Sequence, residues 1–483
     1  MDGRRPADLF PVRPPQQQAQ HALMPDRHGP AACGPCAFPA PAGAPSAGCA
    51  MSTVSTAKKI GPVLATFMVA NNMIGSGFFL LPATLARSGA VTALSWLLAT
   101  CLAVVLGAAF ARLARQYPEM NSPDDYVRPV LGRDFGFLTS TLYWVSSWIG
   151  NNAIAVAAFG YLILLLPIED GYGVRLGGQL LLIWLMFALN MMGPRPIARF
   201  QSFCVVFGLL PVAAVLIAGW ASFDQGIYRA AWNVSGQSDA AVVFGSLAPI
   251  FWAFIGLETG AMVAGVVHDP DRNVPRATIG GILIAGTVYL VSSVLMMGIV
   301  PAHVLADSSA PFALVAGEMF GAWAIPVIAA AAAIKATGTL GGWMLVSGET
   351  GARAAQRGYL PAIFGRLRSN GSAGWGLFIV ALSMSAIAVL TMASTVGAQF
   401  EVIIEMVVML VVMAYATAGL ALLLGTRERP SGRRERMLGM GALVACGLLV
   451  WSTPVDTLIG SLVIALLAWA AYRGFARRGA ESA

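Results

Sequence analysis

Twelve apolar runs constrain this chain more than any other feature, because each is near the ~20 residues a helix needs to cross the hydrocarbon of a bilayer. They lie at roughly residues 60–82, 90–113, 135–166, 176–192, 200–221, 241–266, 277–300, 315–348, 375–392, 398–424, 437–452 and 455–472. Inside lipid an unpartnered backbone N–H or C=O costs several kcal/mol, so such a run must be helical or belong to a closed barrel. Barrel strands alternate polar and apolar residues, and these runs do not. Charged residues make up 11% of the 483 positions, against about 25% in soluble domains. The expected fold is an all-α membrane protein with twelve transmembrane helices.

Lysine and arginine set the orientation. Arg87, Arg175 and Arg229 stand on one side, Lys335 lies inside the eighth run, and the other 26 of the 30 stand on the side of the N-terminus. This bias predicts both termini in the cytoplasm, with multi-pass insertion into a bacterial inner membrane. It also accounts for the net charge of +7, so the partner expected is the lipid bilayer and not nucleic acid.

Residues 1–55 are rich in Pro, Ala and Gln and carry too little apolar surface to fold. They are expected to be a disordered extension, or sequence upstream of a native start at Met51. The transporter domain is expected over 56–475, with a cytoplasmic tail at 476–483. Cys33-Gly-Pro-Cys36 spells a redox motif but lacks the strand–helix context that chemistry needs. The histidines, His21, His28, His268 and His303, lie in the tail or in loops. No nucleophile–base pair, metal set or phosphate-binding loop is evident, so no enzyme, metal or cofactor is expected.

The first run is interrupted at its middle. NNMIGSGFFLLP, residues 71–82, carries Gly75-Ser76-Gly77, and glycine costs roughly 1 kcal/mol relative to alanine in a helix interior. The sixth run carries Phe254-Ile-Gly256-Leu-Glu258-Thr-Gly260. Glycines in membrane helices often mark close packing. Two breaks five helices apart, one beside a carboxylate, point instead to an inverted-repeat transporter with a midplane site. The half-helix after Gly77 would offer free N–H groups to a carboxylate. The break before Glu258 would offer carbonyls to an ammonium. Together these suit a zwitterionic α-amino acid.

Three other runs add side chains. The third carries Tyr143, Ser147 and Asn151 at i, i+4 and i+8, with Trp144 and Trp148 beside them; the sixth adds Trp252, Ile255 and Glu258, and the eighth Gly341-Gly342-Trp343. A tryptophan face attracts a guanidinium or ammonium by roughly 0.5–2 kcal/mol. By topology Tyr143, Glu258 and Tyr415 lie toward the cytoplasm and Trp252 toward the outside. One cluster would close the site from within and the tryptophan from without.

These residues resemble those of the basic amino acid/polyamine antiporter family of the amino acid–polyamine–organocation superfamily, most closely its bacterial arginine–agmatine members. The resemblance runs from about residue 59 to 473. Its specific pieces are NNMIGSGFFLLPATLA (71–86), LYWVSSWIGN (142–151), AAWNVSG (230–236), FWAFIGLETGAMVAGVV (251–267), NVPRATIGGILIAG (273–286) and GTLGGW (338–343).

The resemblance implies a five-plus-five inverted repeat with broken helices 1 and 6, two further C-terminal helices, and a homodimer. It implies exchange of external arginine, or a similar cationic amino acid, for an internal decarboxylated amine such as agmatine. Paired with a decarboxylase, that cycle consumes cytoplasmic protons and serves acid resistance. The family's roles fall on Met73, Ser76 and Gly77 at the substrate carboxylate and on Trp252 and Ile255 from helix 6. Ser146, Ser147, Asn151 and Ile154 line the site from helix 3, and Val407 takes a position on helix 10. Trp343 is implied as a middle gate, Trp252 as the outer gate, and Tyr143, Glu258 and Tyr415 as the inner gate.

Several positions depart from the pattern. Lys335 replaces a small neutral residue, Val407 replaces a substrate-contacting serine, Glu401 and Glu405 stand in helix 10, and Asp124-Asp125 precede helix 3. An unpaired charge in lipid is costly, so Lys335 is expected to pair with Glu405. Val407 and Lys335 also leave open a proton-coupled permease for neutral or other amino acids.

Overall fold

The computed structural model describes residues 59–481 except 119, 121, 263, 265 and 266. The expectations for residues 1–55, the Cys33–Cys36 motif included, fall outside that range. Within it the chain is helical, with two isolated β-bridges, Ile60 with Val267 and Gly425 with Pro430.

The helices run in order α1 (Pro62–Met73), α2 (Ser76–Ala86), α3 (Thr92–Gln116), α4 (Pro123–Leu131), α5 (Arg133–Leu162), α6 (Tyr172–Met191) and α7 (Pro194–Ala218). Short helices α8 (Gln225–Ala230), α9 (Asp239–Gly245), α10 (Leu247–Phe251) and α11 (Thr259–Met262) follow. The chain continues with α12 (Pro270–Met297), α13 (Ala302–Ala306), α14 (Pro311–Phe320), α15 (Ala324–Gln356), α16 (Gly374–Leu390), α17 (Val396–Leu424), α18 (Arg433–Trp451) and α19 (Val455–Glu481).

Seven of the described helices are long and apolar enough to span a bilayer, or up to ten spans if each of three bent pairs counts once. The sequence predicts more for two reasons. Helix α16, of 17 residues, is short for a span, and α18 and α19 meet at a 119° bend. The predicted run at 315–348 divides, because Gly321 at φ +90° ends α14 before α15 begins. The tail expected from 476 starts inside α19.

The two sequence breaks are real, with shifted edges. Helices α1 and α2 meet at 49°. Ile74 leaves the helical region at ψ 84° and Gly75 is extended, while Ser76 and Gly77 already belong to α2. In the sixth run α10 passes through a 3-10 turn, Trp252–Phe254, then unwinds over 255–258 before α11. Gly256 sits there at φ +105°, and a Cβ would lie 2.6 Å from Asn72 Nδ2. Both the left-handed backbone and the neighbour exclude a side chain.

Helix α5 is the axis of the fold. Its apolar window is 78% buried, against 28% for α6 and α7, which present Leu181, Leu185, Leu210 and Ile217 outward as lipid-facing residues. Helices α15, α17, α4 and α6 pack on α5, and α1 and α3 pack on α12. At one end α4 is tied to the end of α15. Asp124 accepts from Arg357 and Ser122, and Asp125 pairs with the same guanidinium. This accounts for the paired aspartates the sequence singles out. Burial pushes the Asp124 carboxyl above its usual 3.8, while Arg357 pulls it down.

Candidate substrate site

The two breaks and the central helices enclose one cavity. Asn72, Met73, Gly75 and Gly77 line it from the first break, and Trp252, Ala253 and Ile255 from the second. Helix α5 supplies Tyr143, Ser146, Ser147, Gly150 and Ile154, α15 supplies Thr339 and Trp343, and α17 supplies Val407. The cavity volume is about 40 Å³. A single water takes roughly 10–15 Å³ on that measure, so a few waters fit and a long-chain amino acid does not. A wall must move to admit one.

The α5 stripe follows helical geometry. At about 100° per residue, positions 146, 147, 150 and 154 stay within about 60° of Tyr143, whereas 151 swings about 80° away. Asn151 accordingly is not a cavity wall. It is fully buried, and neither amide atom has a partner. Sequence reasoning chose Asn151 for its polarity and missed Gly150, which the same period would have found.

Trp252 lines one side of the cavity. A Cβ on Gly77 would lie 2.9 Å from its Cδ1, and one on Gly150 would lie 2.9 Å from its Cη2. The indole therefore lies between two glycines of different helices and is 9% exposed. A methyl on either would displace it.

On the other side Glu258 is the hub. Its fully buried carboxylate accepts from Tyr143 Oη at 2.6 Å, from Tyr415 Oη, and from the Gly256 N–H at 3.2 Å. Tyr143 belongs to α5 and Tyr415 to α17, so this one side chain fastens the second break to two long helices. Asn72 Nδ2 donates to Thr259 Oγ1 at 3.5 Å and links the breaks to each other. The Ser147 and Ser347 hydroxyls lie 2.9 Å apart, joining α5 to α15.

At the first break α2 begins without a side-chain cap. The N–H groups of a helix's first turn lack intrahelical partners and suit an anion. Ser76 opens that helix; its side chain lies outside what the structure describes.

One expectation is corrected and another narrowed. Lys335 does not pair with Glu405. Its ammonium donates to the Ile74 carbonyl at 2.7 Å and to Thr339 Oγ1 at 2.9 Å. The Cα and Cβ of Lys335 pack directly against Gly208 of α7, where a methyl would lie 2.4 Å from the Lys335 Cβ. Glu405 instead accepts from Thr457 Oγ1 at 3.2 Å, and Glu401 pairs with Arg87. Four of the carbonyls around the second break already accept hydrogen bonds. Trp252 O accepts from Ile255 N, Ala253 O from Tyr289 Oη, Phe254 O from Leu257 N, and Gly256 O from both the amide and hydroxyl of Thr259. An ammonium would meet them only through their second lone pairs.

The sequence also missed Asn72, Ala253 and Thr339 as cavity walls, while Gly75 belongs to the break it singled out. Thr339 lies one turn before Trp343 and was findable by that spacing. Among the described residues no group of three or more His, Cys, Asp or Glu is arranged to hold a metal.

Residues 60–470 match a family described as amino acid permease. The chain is 36% identical over 337 residues to the cadaverine/lysine antiporter of Escherichia coli K12, covering 70% of this chain and 76% of that protein. It is 30% identical over 424 residues to the putrescine transporter PotE of the same strain, covering 86% and 95%. With the putrescine transporter PotE of Haemophilus influenzae it shares 32% over 374 residues, covering 76% and 85%.

Proposed function

The chain belongs to the amino acid permease family, a family of transporters rather than enzymes, and on that premise we propose that it is an antiporter. It takes up an external cationic amino acid and expels the decarboxylated amine by alternating access at the cavity. The observation that carries this reading is the cavity itself, bounded by two unwound segments, with Trp252 over one end and the Glu258–Tyr143–Tyr415 cluster at the other.

Met73, Ser76 and Gly77 cradle the substrate carboxylate at the start of α2. Ser146, Ser147, Ile154, Ile255 and Val407 shape the rest, and Asn151 joins them only if α5 turns. The indoles of Trp343 and Trp252 face the cationic side chain and act as middle and outer gates; Tyr143, Glu258 and Tyr415 form the inner gate. Lysine with cadaverine is the favoured pair, supported by the relative that shares 36% identity. Arginine with agmatine is the second reading, supported by the motifs around Gly75, Trp252 and Trp343. Val407, apolar and buried, supports a proton-coupled permease for neutral amino acids as the alternative.

Counting α16 as a span, and α18 and α19 as two, yields twelve spans in a five-plus-five inverted repeat with two extra helices. Both termini are then cytoplasmic, in a homodimer of the bacterial inner membrane. Proteoliposomes loaded with cadaverine, agmatine, putrescine or nothing, and offered labelled lysine, arginine, ornithine or leucine, test the function. Uptake that depends on a loaded amine is expected. Uptake into empty vesicles, or of leucine alone, overturns exchange. Trp343→Leu is expected to abolish transport while leaving the fold intact.

A further inference from the structure

Lys335 is buried to 2% exposure in the middle of α15. Other buried charged side chains are answered: Glu258 by two phenols, Asp124 by Arg357, Glu435 by Arg112. Among the described residues no carboxylate ion-pairs with Lys335. Its partners are the Ile74 carbonyl at 2.7 Å and Thr339 Oγ1 at 2.9 Å. The neighbouring thiol from α7 is Cys204, and Gly208 of α7 lets that helix approach the Lys335 Cα and Cβ closely.

Both acceptors adjoin the cavity. Thr339 is one of its walls, and Ile74 precedes Gly75, another wall. A Cβ on Gly75 would lie 3.2 Å from Thr339 Cγ2, so the two walls are close neighbours. The charge therefore sits one side chain behind the cavity surface, on the side of the uncapped α2 terminus. In so dry a place a charge is weakly screened. The two partners in the proposed exchange differ in one group there, since the amino acid carries a carboxylate and its amine does not.

We infer that Lys335 is a specificity-determining residue, a tethered cation that favours the carboxylate-bearing substrate over the amine and clamps the first break in register to receive it. This rests on the exchange reading above. The amine, positive at both ends, gains nothing from this charge and is repelled by it, so the site releases amine in favour of amino acid.

The test is the KM and kcat of external lysine and external cadaverine, each against internal cadaverine, in proteoliposomes. Lys335→Met is expected to raise the lysine KM about tenfold or more while the cadaverine KM stays or falls. Lys335→Gln, which can still donate to Ile74 without a charge, behaves the same way. Lys335→Arg keeps the wild-type KM ratio within about threefold. An unchanged ratio in either neutral variant overturns the inference, as does an equal rise in both KM values. If neither neutral variant assembles while Lys335→Arg does, the charge is structural and the inference fails. Wild-type protein that exchanges no cationic amino acid for an amine removes the proposed function; exchange with an unmoved ratio removes only this role.

Discussion

Replacing Tyr415 by phenylalanine deletes one donor from the Glu258 carboxylate and little else. The ring packs edge-on against Phe110 at 5.0 Å between centroids, a contact phenylalanine retains. Glu258 is left with Tyr143 at 2.6 Å and the Gly256 N–H at 3.2 Å. A hydrogen bond to a charged group contributes about 1.5–3 kcal/mol, which is roughly tenfold to a hundredfold in the equilibrium between the closed and locally open break. Tyr143→Phe should do the same. The double variant should exceed the sum, because a fully buried carboxylate then keeps a single donor. Hydrogen exchange of peptides spanning 251–262, read by mass spectrometry, reports that opening directly. Protection there should fall by about tenfold to a hundredfold in each single variant, with distant helices unchanged. Had Glu258 been a neutral acid donating one of its bonds, each loss would shrink toward 0.5–1.5 kcal/mol, about twofold to tenfold. Protection within a factor of about two of wild type in both single variants would refute the inner-gate reasoning.

Gly256→Ala should cost about 1–2 kcal/mol from the left-handed backbone and more from contact with Asn72; a lower thermal midpoint with transport reduced at least about tenfold would show it. Lys335→Ala with Glu405→Ala should cost the sum of the two single changes within about 0.5 kcal/mol, and rescue in the double variant would restore the pairing that the structure rejects. Asp124 binds its proton more tightly folded than unfolded, so its contribution to stability is greatest below pH 3.8 and is lost as pH rises through the higher folded value. Asp124→Asn should therefore flatten the melting curve against pH just above 3.8. A slope as steep as wild type's would refute this.

Much of the architecture was legible because lipid leaves few choices. A long uncharged run must be helical, so α3, α5, α7, α12 and α17 follow from composition alone. The breaks were legible because two glycine-bearing interruptions stand five helices apart. Tyr143, Glu258 and Tyr415 were grouped by depth, and they do meet. Boundaries were less legible. Gly321 ends α14 by its backbone angle, which no hydropathy window registers, and the α18–α19 bend depends on packing.

By itself the sequence determined an all-helical membrane protein and two interrupted spans, because these follow from hydropathy, helical period and the conformational cost of glycine; Met73, Ser146, Ile154 and Val407 as cavity walls came only from the family resemblance. Only the tertiary structure decided where the freed groups of the breaks go. The carbonyls of Trp252, Ala253, Phe254 and Gly256 are taken within the second break and by Tyr289. Asn151 turns off the cavity while Gly150 makes room for Trp252. Lys335, which the cost of an unpaired charge assigned to Glu405, packs its Cβ on Gly208 of α7 and donates to Ile74. The physical reason is the same throughout: a side chain's partner depends on which neighbour stands at contact distance, and helix packing sets that neighbour, not spacing along the chain.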